Sequence, residues 1–370
     1  MKIGIADADL IGRFRHMFPN LACMKLSSYH KVRGDYVQLL TDYDSVLDYD
    51  RVYISKVFSD TEVPAHVLNH PHIQCGGTGF YYDKARPLPS EIEHAFPDYH
   101  LYDEWVTRRI AAGDNPHDYR YYTDYSIGFI TRGCFRKCPF CVNRNYDKVD
   151  VHSSLEEFVD PSRPKICLLD DNFLGCKDWK TLLLQLQATG KPFQFKQGLD
   201  ERLLNDEKCE LLFTSRYDGD YIFAFDNIED YDIVEKKLQL LRRHTSRIPK
   251  FYVFCAYDRQ GKWDTDFWKQ DMRDLWKRIE LLMKYQCLPY IMRFARYEES
   301  PYSGMYTVIA RWCNQPSFFK KKSFREFVHK DQERYKKECA SMKRLRAFEK
   351  EMPELASRYF DMKYQQEGLS

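Results

Sequence analysis

From residue 125 onward, short apolar runs alternate with longer stretches whose apolar residues recur every three or four positions. Six runs read as strands: Ser126 to Thr131, Lys165 to Asp170, Pro192 to Gln197, Tyr221 to Phe225, Phe251 to Ala256 and Pro289 to Ala295. The helical period occupies Trp179 to Ala188, Asp206 to Thr214, Tyr231 to His244 and Asp264 to Tyr285 between them. Strands that are apolar at nearly every residue belong to a parallel sheet covered by helices. The pattern therefore predicts an α/β domain over residues 120–300.

A smaller α/β unit is predicted over residues 1–110. Ile3 to Ala6, Tyr36 to Leu40 and Arg51 to Ser55 read as strands. Phe18 to Val32 has helical spacing, with Leu21, Met24, Leu26 and Tyr29 near one face. A further strand, His72-Ile73-Gln74-Cys75, runs into the turn Gly76-Gly77-Thr78-Gly79. Strands alternating with a helix and ending in a glycine turn predict an open, Rossmann-like sheet. Residues 301–370 read as a polar, mostly helical C-terminal extension. Its Lys320-Lys321-Lys322 leads into a stretch rich in both signs of charge. That stretch fits a solvated helix packed on the main domain, or a basic patch against a polyanionic substrate.

Bulk properties narrow the function classes. A net charge of +2 gives no global attraction to nucleic acid or membrane. No apolar run approaches a bilayer's thickness, and the N-terminus lacks a basic-then-apolar leader, so a cytoplasmic protein without membrane contact is expected. The twelve cysteines are scattered without the spacing of a disulfide framework, which fits reduced thiols.

Cys134, Cys138 and Cys141 are the exception to that scatter. They form a C-x3-C-x2-C stretch directly after the first strand of the larger domain. Three thiolates in one loop can hold three irons of a [4Fe–4S] cube and leave the fourth iron open to a small molecule. Two other readings compete. The thiols could bind zinc with a histidine, His152 being nearest downstream, or they could be inert. Cys167 and Cys255 lie within strands. They fit small core residues, or an interior hydrogen-atom donor or extra ligand.

The cysteine spacing, with the aromatic Phe140 just before the last cysteine, resembles the cluster loop of the radical S-adenosylmethionine (SAM) superfamily. The resemblance covers residues 125–300 well and 1–110 weakly. It implies a partial (β/α)6 TIM-like barrel with its chemistry at the C-terminal strand ends. It also implies a [4Fe–4S] cluster whose open iron holds SAM, and reductive cleavage of SAM to a 5′-deoxyadenosyl radical that attacks an unreactive C–H bond. A reductant such as flavodoxin or ferredoxin is implied as partner. Phe140 would then lie against the adenine. After the second strand, the run Asp170-Asp171-Asn172 offers backbone and carboxylate groups for the SAM ammonium, although Asp and Asn at this point also suit a helix cap. Gln197 can pair with a ribose hydroxyl. Arg202 can fork onto the SAM carboxylate or form a local salt bridge with Asp200. Asp226 ends the fourth strand facing the expected mouth, and Arg293 or Arg296 could fix an anionic group.

The first unit resembles, by position, the cobalamin-binding domain of one radical SAM subclass. The Asp-x-His-x-x-Gly signature is missing, and His30 lacks the preceding aspartate. The glycine turn at Gly76 to Gly79 is similar to the pair that cradles the cofactor tail. A degenerate domain without cobalamin is the favoured expectation, and a cobalamin-dependent methyltransferase is the alternative. A nucleoside or nucleic acid leads the substrate classes, followed by a peptide or a small metabolite. A non-catalytic iron–sulfur or zinc protein is the rival from outside enzymology.

Overall fold

Alternation is strict in the opening strand, β1 (Lys2–Asp7) of the computed structural model, which describes residues 1–333 and 337–364. Ile3 and Ile5 point to one side and pack on Met24 and Leu26 of the helix Leu21–Val32. Ala6 points to the other side and joins Leu40, Val52 and Ile54. Both faces are thus buried, as a parallel sheet requires. With β2 (Tyr36–Leu40), β3 (Arg51–Ser55) and β4 (Ile73–Gly76) the order is β2-β1-β3-β4, all parallel. The first helix starts three residues later than its apolar spacing predicts. The Asn20 side chain caps the helix by accepting from the Cys23 amide at 3.3 Å.

The chain divides into two units, residues 1–197 and 198–370. In the first unit β5 (Tyr125–Gly128) is followed by a short antiparallel pair, β6 (Thr131–Arg132) with β7 (Asp150–Val151), which closes the cysteine loop at its base. β8 (Lys165–Leu168) and β9 (Phe193–Phe195) complete a parallel sheet of order β5-β8-β9. The single strand predicted from Ser126 to Thr131 is therefore interrupted after Gly128. The amides of Ile130 and Thr131 leave the sheet because they are bonded to a side chain, Asp170.

In the second unit β10 (Ile222–Ala224), β11 (Lys250–Cys255) and β12 (Leu288–Arg293) form another parallel sheet. Its longest helix, Thr265–Lys284, buries Trp268, Met272, Leu275, Trp276 and Ile279 on one stripe. The extension is helical, as its periodicity predicts, but it is not merely solvated. Trp276 stacks on Tyr359 at 5.8 Å and Trp312 meets Phe324 at 5.5 Å, with both tryptophans fully buried. Lys320 to Lys322 form the turn between two helices, and the Lys322 carbonyl accepts from the Trp312 indole. Residues 334–336 and 365–370 of the expected extension lie outside the described residues. Among the described residues no helix is long and apolar enough to cross a membrane.

The glycine turn after β4 is a close-packed junction. Gly77 has φ +99°, and a Cβ there would lie 2.3 Å from the Lys56 carbonyl oxygen. Gly76 has no neighbour within 4 Å of such a Cβ. Gly77→Ala should therefore cost about 1–3 kcal/mol of stability. Gly76→Ala should stay within about 0.5 kcal/mol of wild type. Urea unfolding of the two variants side by side checks this, and equal losses would remove the junction's steric explanation.

Candidate functional site

The run Asp170-Asp171-Asn172 follows β8 and grips the cysteine loop at both shoulders. Asp170 is 1% exposed. One of its oxygens accepts from the Thr131 amide and hydroxyl, both at 2.6 Å, and the other from the Ile130 amide at 3.2 Å. Asp171 accepts from the Gly133 amide at 2.8 Å, just before Cys134, and from the Asn143 side chain at 2.6 Å, just after Cys141. The Asn172 amide donates to the Cys134 sulfur at 3.4 Å. Burial pushes the Asp170 carboxyl up to about 7 and raises that of Asp171. Gly133 has φ +98°, and a Cβ there would come within 2.4 Å of the Lys148 carbonyl, so only glycine admits the turn that opens the loop.

The three thiols are partly exposed. The Cys138 carbonyl accepts from the Cys141 amide at 2.9 Å, which ties the second and third cysteines into one turn. The sulfurs of Cys134 and Cys141 accept from the amides of Arg136 and Asn143 at 3.5 and 3.4 Å. Hydrogen bonds of this kind stabilise thiolate ligands and tune a cluster's potential. The donor set therefore fits three irons. Among the described residues no group of three His, Cys, Asp or Glu side chains is arranged to hold a metal ion. A site of this kind is completed by the metal it binds.

His152 does not join the cysteines. Its Nδ1 meets the Ser153 hydroxyl at 2.9 Å, its Nε2 faces Glu93 at 3.4 Å, and burial pushes its pKa down to about 4. The zinc reading thus loses its nearest fourth ligand. Cys167 and Cys255 are buried core residues, and Cys255 donates to the Met292 carbonyl at 3.6 Å.

The remaining candidates have these surroundings. Phe140 is half-buried within the loop, and Gln197 is exposed beyond β9. Arg202, in the second unit, donates from Nε to Asp200 at 2.8 Å and from Nη1 to Asp230 at 2.9 Å. The corner salt bridge that the sequence allowed is therefore present. Asp226 is half-buried, accepts from the Phe254 amide at 3.1 Å, and has its carboxyl pushed up to about 6 by desolvation. Sequence reasoning passed over Glu201, 2% exposed, whose carboxyl burial raises to about 8. It also missed Asn143, whose only signal is a polar amide two residues after the last cysteine.

No protein-family model and no curated protein matches the chain. In fold it is similar to the solved structure of the radical SAM methyltransferase TsrM from Kitasatospora setae, with cobalamin and a [4Fe–4S] cluster bound. The match has a TM-score of 0.50 and 10% identity, and covers 79% of this chain and 72% of that one.

The first sheet of this chain does not fit a cobalamin. In an open α/β sheet a ligand enters where the strand order reverses, here between the loops after β1 and β3. Asp9 spans that crevice, accepting from the Val57 amide at 2.7 Å and the Thr61 hydroxyl at 2.5 Å. Gly77 and Gly79 back onto Lys56 and Phe58 of the chain itself. His30 is buried, with its two ring nitrogens against Asp35 and Tyr53 at 2.7 and 3.1 Å.

Hydroxocobalamin added to the protein should therefore be lost on desalting, and stoichiometric retained cobalt would refute the closed crevice. The buried carboxylate at the loop's base makes a second prediction, on pH. Asp170 has a folded-state pKa raised above its ordinary value, so its ionisation opposes folding. Its contribution is complete below about pH 4 and is lost as pH rises through about 7, on the order of 1.4 kcal/mol for every pH unit between those values. The stability of Asp170→Asn relative to wild type should therefore climb between pH 4 and 7 and level off above, whatever its constant offset. A flat difference in denaturant titrations would show that the carboxyl titrates normally.

Proposed function

We propose that the chain is a radical SAM enzyme acting on an unreactive C–H bond of an organic substrate. The observation that carries the reading is the C-x3-C-x2-C loop. It follows the first strand of a parallel sheet and is held at both ends by the carboxylates of the next strand's end. The fold likeness supports the general class. In this reading β5, β8 and β9 with β10, β11 and β12 are the strands of a partial (β/α)6 barrel.

When bound, the reduced [4Fe–4S] cluster and SAM together supply a 5′-deoxyadenosyl radical for hydrogen abstraction. The chain's own residues do the holding. Cys134, Cys138 and Cys141 supply three thiolates and leave one coordination position to SAM. Asp170 and Asp171 hold the loop in register. A carboxylate offers about four lone-pair positions. Asp171, with two used by Gly133 and Asn143, can therefore still accept from an ammonium. Phe140 is assigned to the adenine and Gln197 to the ribose. Arg202 has five N–H donors, so it can serve the SAM carboxylate while keeping Asp200 and Asp230. Asp226 completes the polar strand ends. A low-potential electron donor such as flavodoxin or ferredoxin is the partner this chemistry requires.

Anoxic incubation with dithionite and SAM should release 5′-deoxyadenosine and methionine, read by mass spectrometry. Each of Cys134→Ala, Cys138→Ala and Cys141→Ala should abolish both products and the cluster's broad visible absorbance. Wild-type protein carrying zinc and no sulfide after anoxic purification would remove the reading. A full cluster in any single variant would remove that cysteine from the ligand set.

A further inference from the structure

The segment after β4 reaches the cysteine loop directly. Tyr82 sits at φ +49° and ψ −116°, a backbone region that residues with a side chain rarely adopt. Its hydroxyl donates to the Phe140 carbonyl at 2.5 Å. The adjacent Asp83 takes the Arg144 guanidinium, with Nε at 2.7 Å and Nη2 at 2.6 Å. Its backbone carbonyl accepts from the Asn145 side chain at 2.9 Å. Arg144 in turn donates to the Pro139 carbonyl at 3.0 Å. The two carbonyls between Cys138 and Cys141, those of Pro139 and Phe140, are therefore both capped, one by Tyr82 and one through Asp83. The Asp83 carboxylate is only 10% exposed, and Arg144 holds its pKa below the ordinary carboxylate range.

The turn that presents these residues is itself fixed. Gly77 and Gly79 pack against Lys56, and the Gly79 amide donates to the Lys56 carbonyl at 2.9 Å. Strained backbone persists only where surrounding contacts over-determine it, and such residues cluster at functional sites. Here the strained residue is the one whose side chain ends on the loop between two proposed cluster ligands.

Resting on the reading of Cys134, Cys138 and Cys141 as cluster ligands, we propose that Tyr82 and Asp83 are positioning residues for the cluster. The first sheet then acts as a brace for the Cys138–Cys141 turn, not as a cofactor domain of its own. Asp171 anchors the loop at Gly133 and Asn143, outside the cysteines, and the brace fixes the turn between the second and third.

The test compares Tyr82→Phe, Asp83→Asn and Tyr82→Gly in the full chain with wild type. Tyr82→Phe removes only the hydroxyl. Tyr82→Gly relaxes the backbone while removing the brace. After anoxic reconstitution each variant should lose iron to a chelator about tenfold faster than wild type, the lower end expected when a ligand's outer-shell partner is removed. Each should also shift the cluster's midpoint potential and its reduced-state EPR spectrum. Tyr82→Gly should do so while keeping or raising the thermal midpoint, which general destabilisation would not produce. In metal-free protein, amide exchange across residues 138–145 should speed up in Asp83→Asn and Tyr82→Phe. Unchanged exchange there overturns the brace whether or not iron binds. Normal iron retention, potential and spectrum in all three variants also overturn it. A wild-type chain that binds no iron and sulfide sinks the radical reading instead.

Discussion

The cysteine loop depends on one buried carboxylate that replaces strand pairing where β5 ends. Beyond Gly128 the amides of Ile130 and Thr131 leave the parallel ladder, and Asp170 takes them both, together with the Thr131 hydroxyl. Left unmatched in a buried place, such donors cost roughly 1–3 kcal/mol each. The opposing term is the burial of the carboxylate, which raises its pKa to about 7. At about 1.4 kcal/mol for every pH unit between the ordinary and the raised value, keeping it ionised at neutral pH costs on the order of 4 kcal/mol. That figure is the balance left after the Ile130 and Thr131 donors have offset part of the burial, so in its charged form the arrangement is a net cost in stability. What it secures is direction. The chain is turned out of the sheet at a defined residue, and Gly133 starts the loop where Asp171 can hold it.

That contact explains what is legible in the sequence and what is hidden. Apolar runs and helical periods are local, and a strand overlaps each of the six runs in the larger domain. The short apolar run of β1 is legible in the same way. The interruption at Phe129 is not legible, because its cause is a side chain from residue 170, far along the chain. The chemistry of Asp170-Asp171-Asn172 is readable as acceptors at a strand end. That these acceptors face the loop's own amides is not, since a carboxylate accepts from a backbone N–H and an ammonium alike. The C-terminal extension reads as mainly solvated for a related reason. Its charges dominate the pattern, while Phe324 and Phe360 find Trp276 and Trp312 only in three dimensions.

The cysteines are legible by spacing alone, and their neighbours add what spacing cannot. The structure fixes the loop's ends and one internal turn. In the proposed cluster reading, affinity rests on how little entropy remains to be lost when metal binds. The shoulders at Gly133 and Asn143 and the capped carbonyls of Pro139 and Phe140 all reduce that loss.

The first sheet contributes to the same rigidity. Its open parallel order is one that elsewhere receives a ligand at the point where strand order reverses. Here Asp9 bridges the two loops that would have to part, with Thr61 and Val57 as its donors. Opening the crevice would break the Asp9 hydrogen bonds to Val57 and Thr61 before any ligand contact is gained. The same fold can thus hold a cofactor in one protein and a set of internal bonds in another, because function resides in the site and not the topology. A sheet edge relieved of ligand binding can keep a rigid shape. The turn after β4 shows that rigidity: glycines packed on Lys56 hold Tyr82 in a strained backbone, and its side chain ends on the cysteine loop.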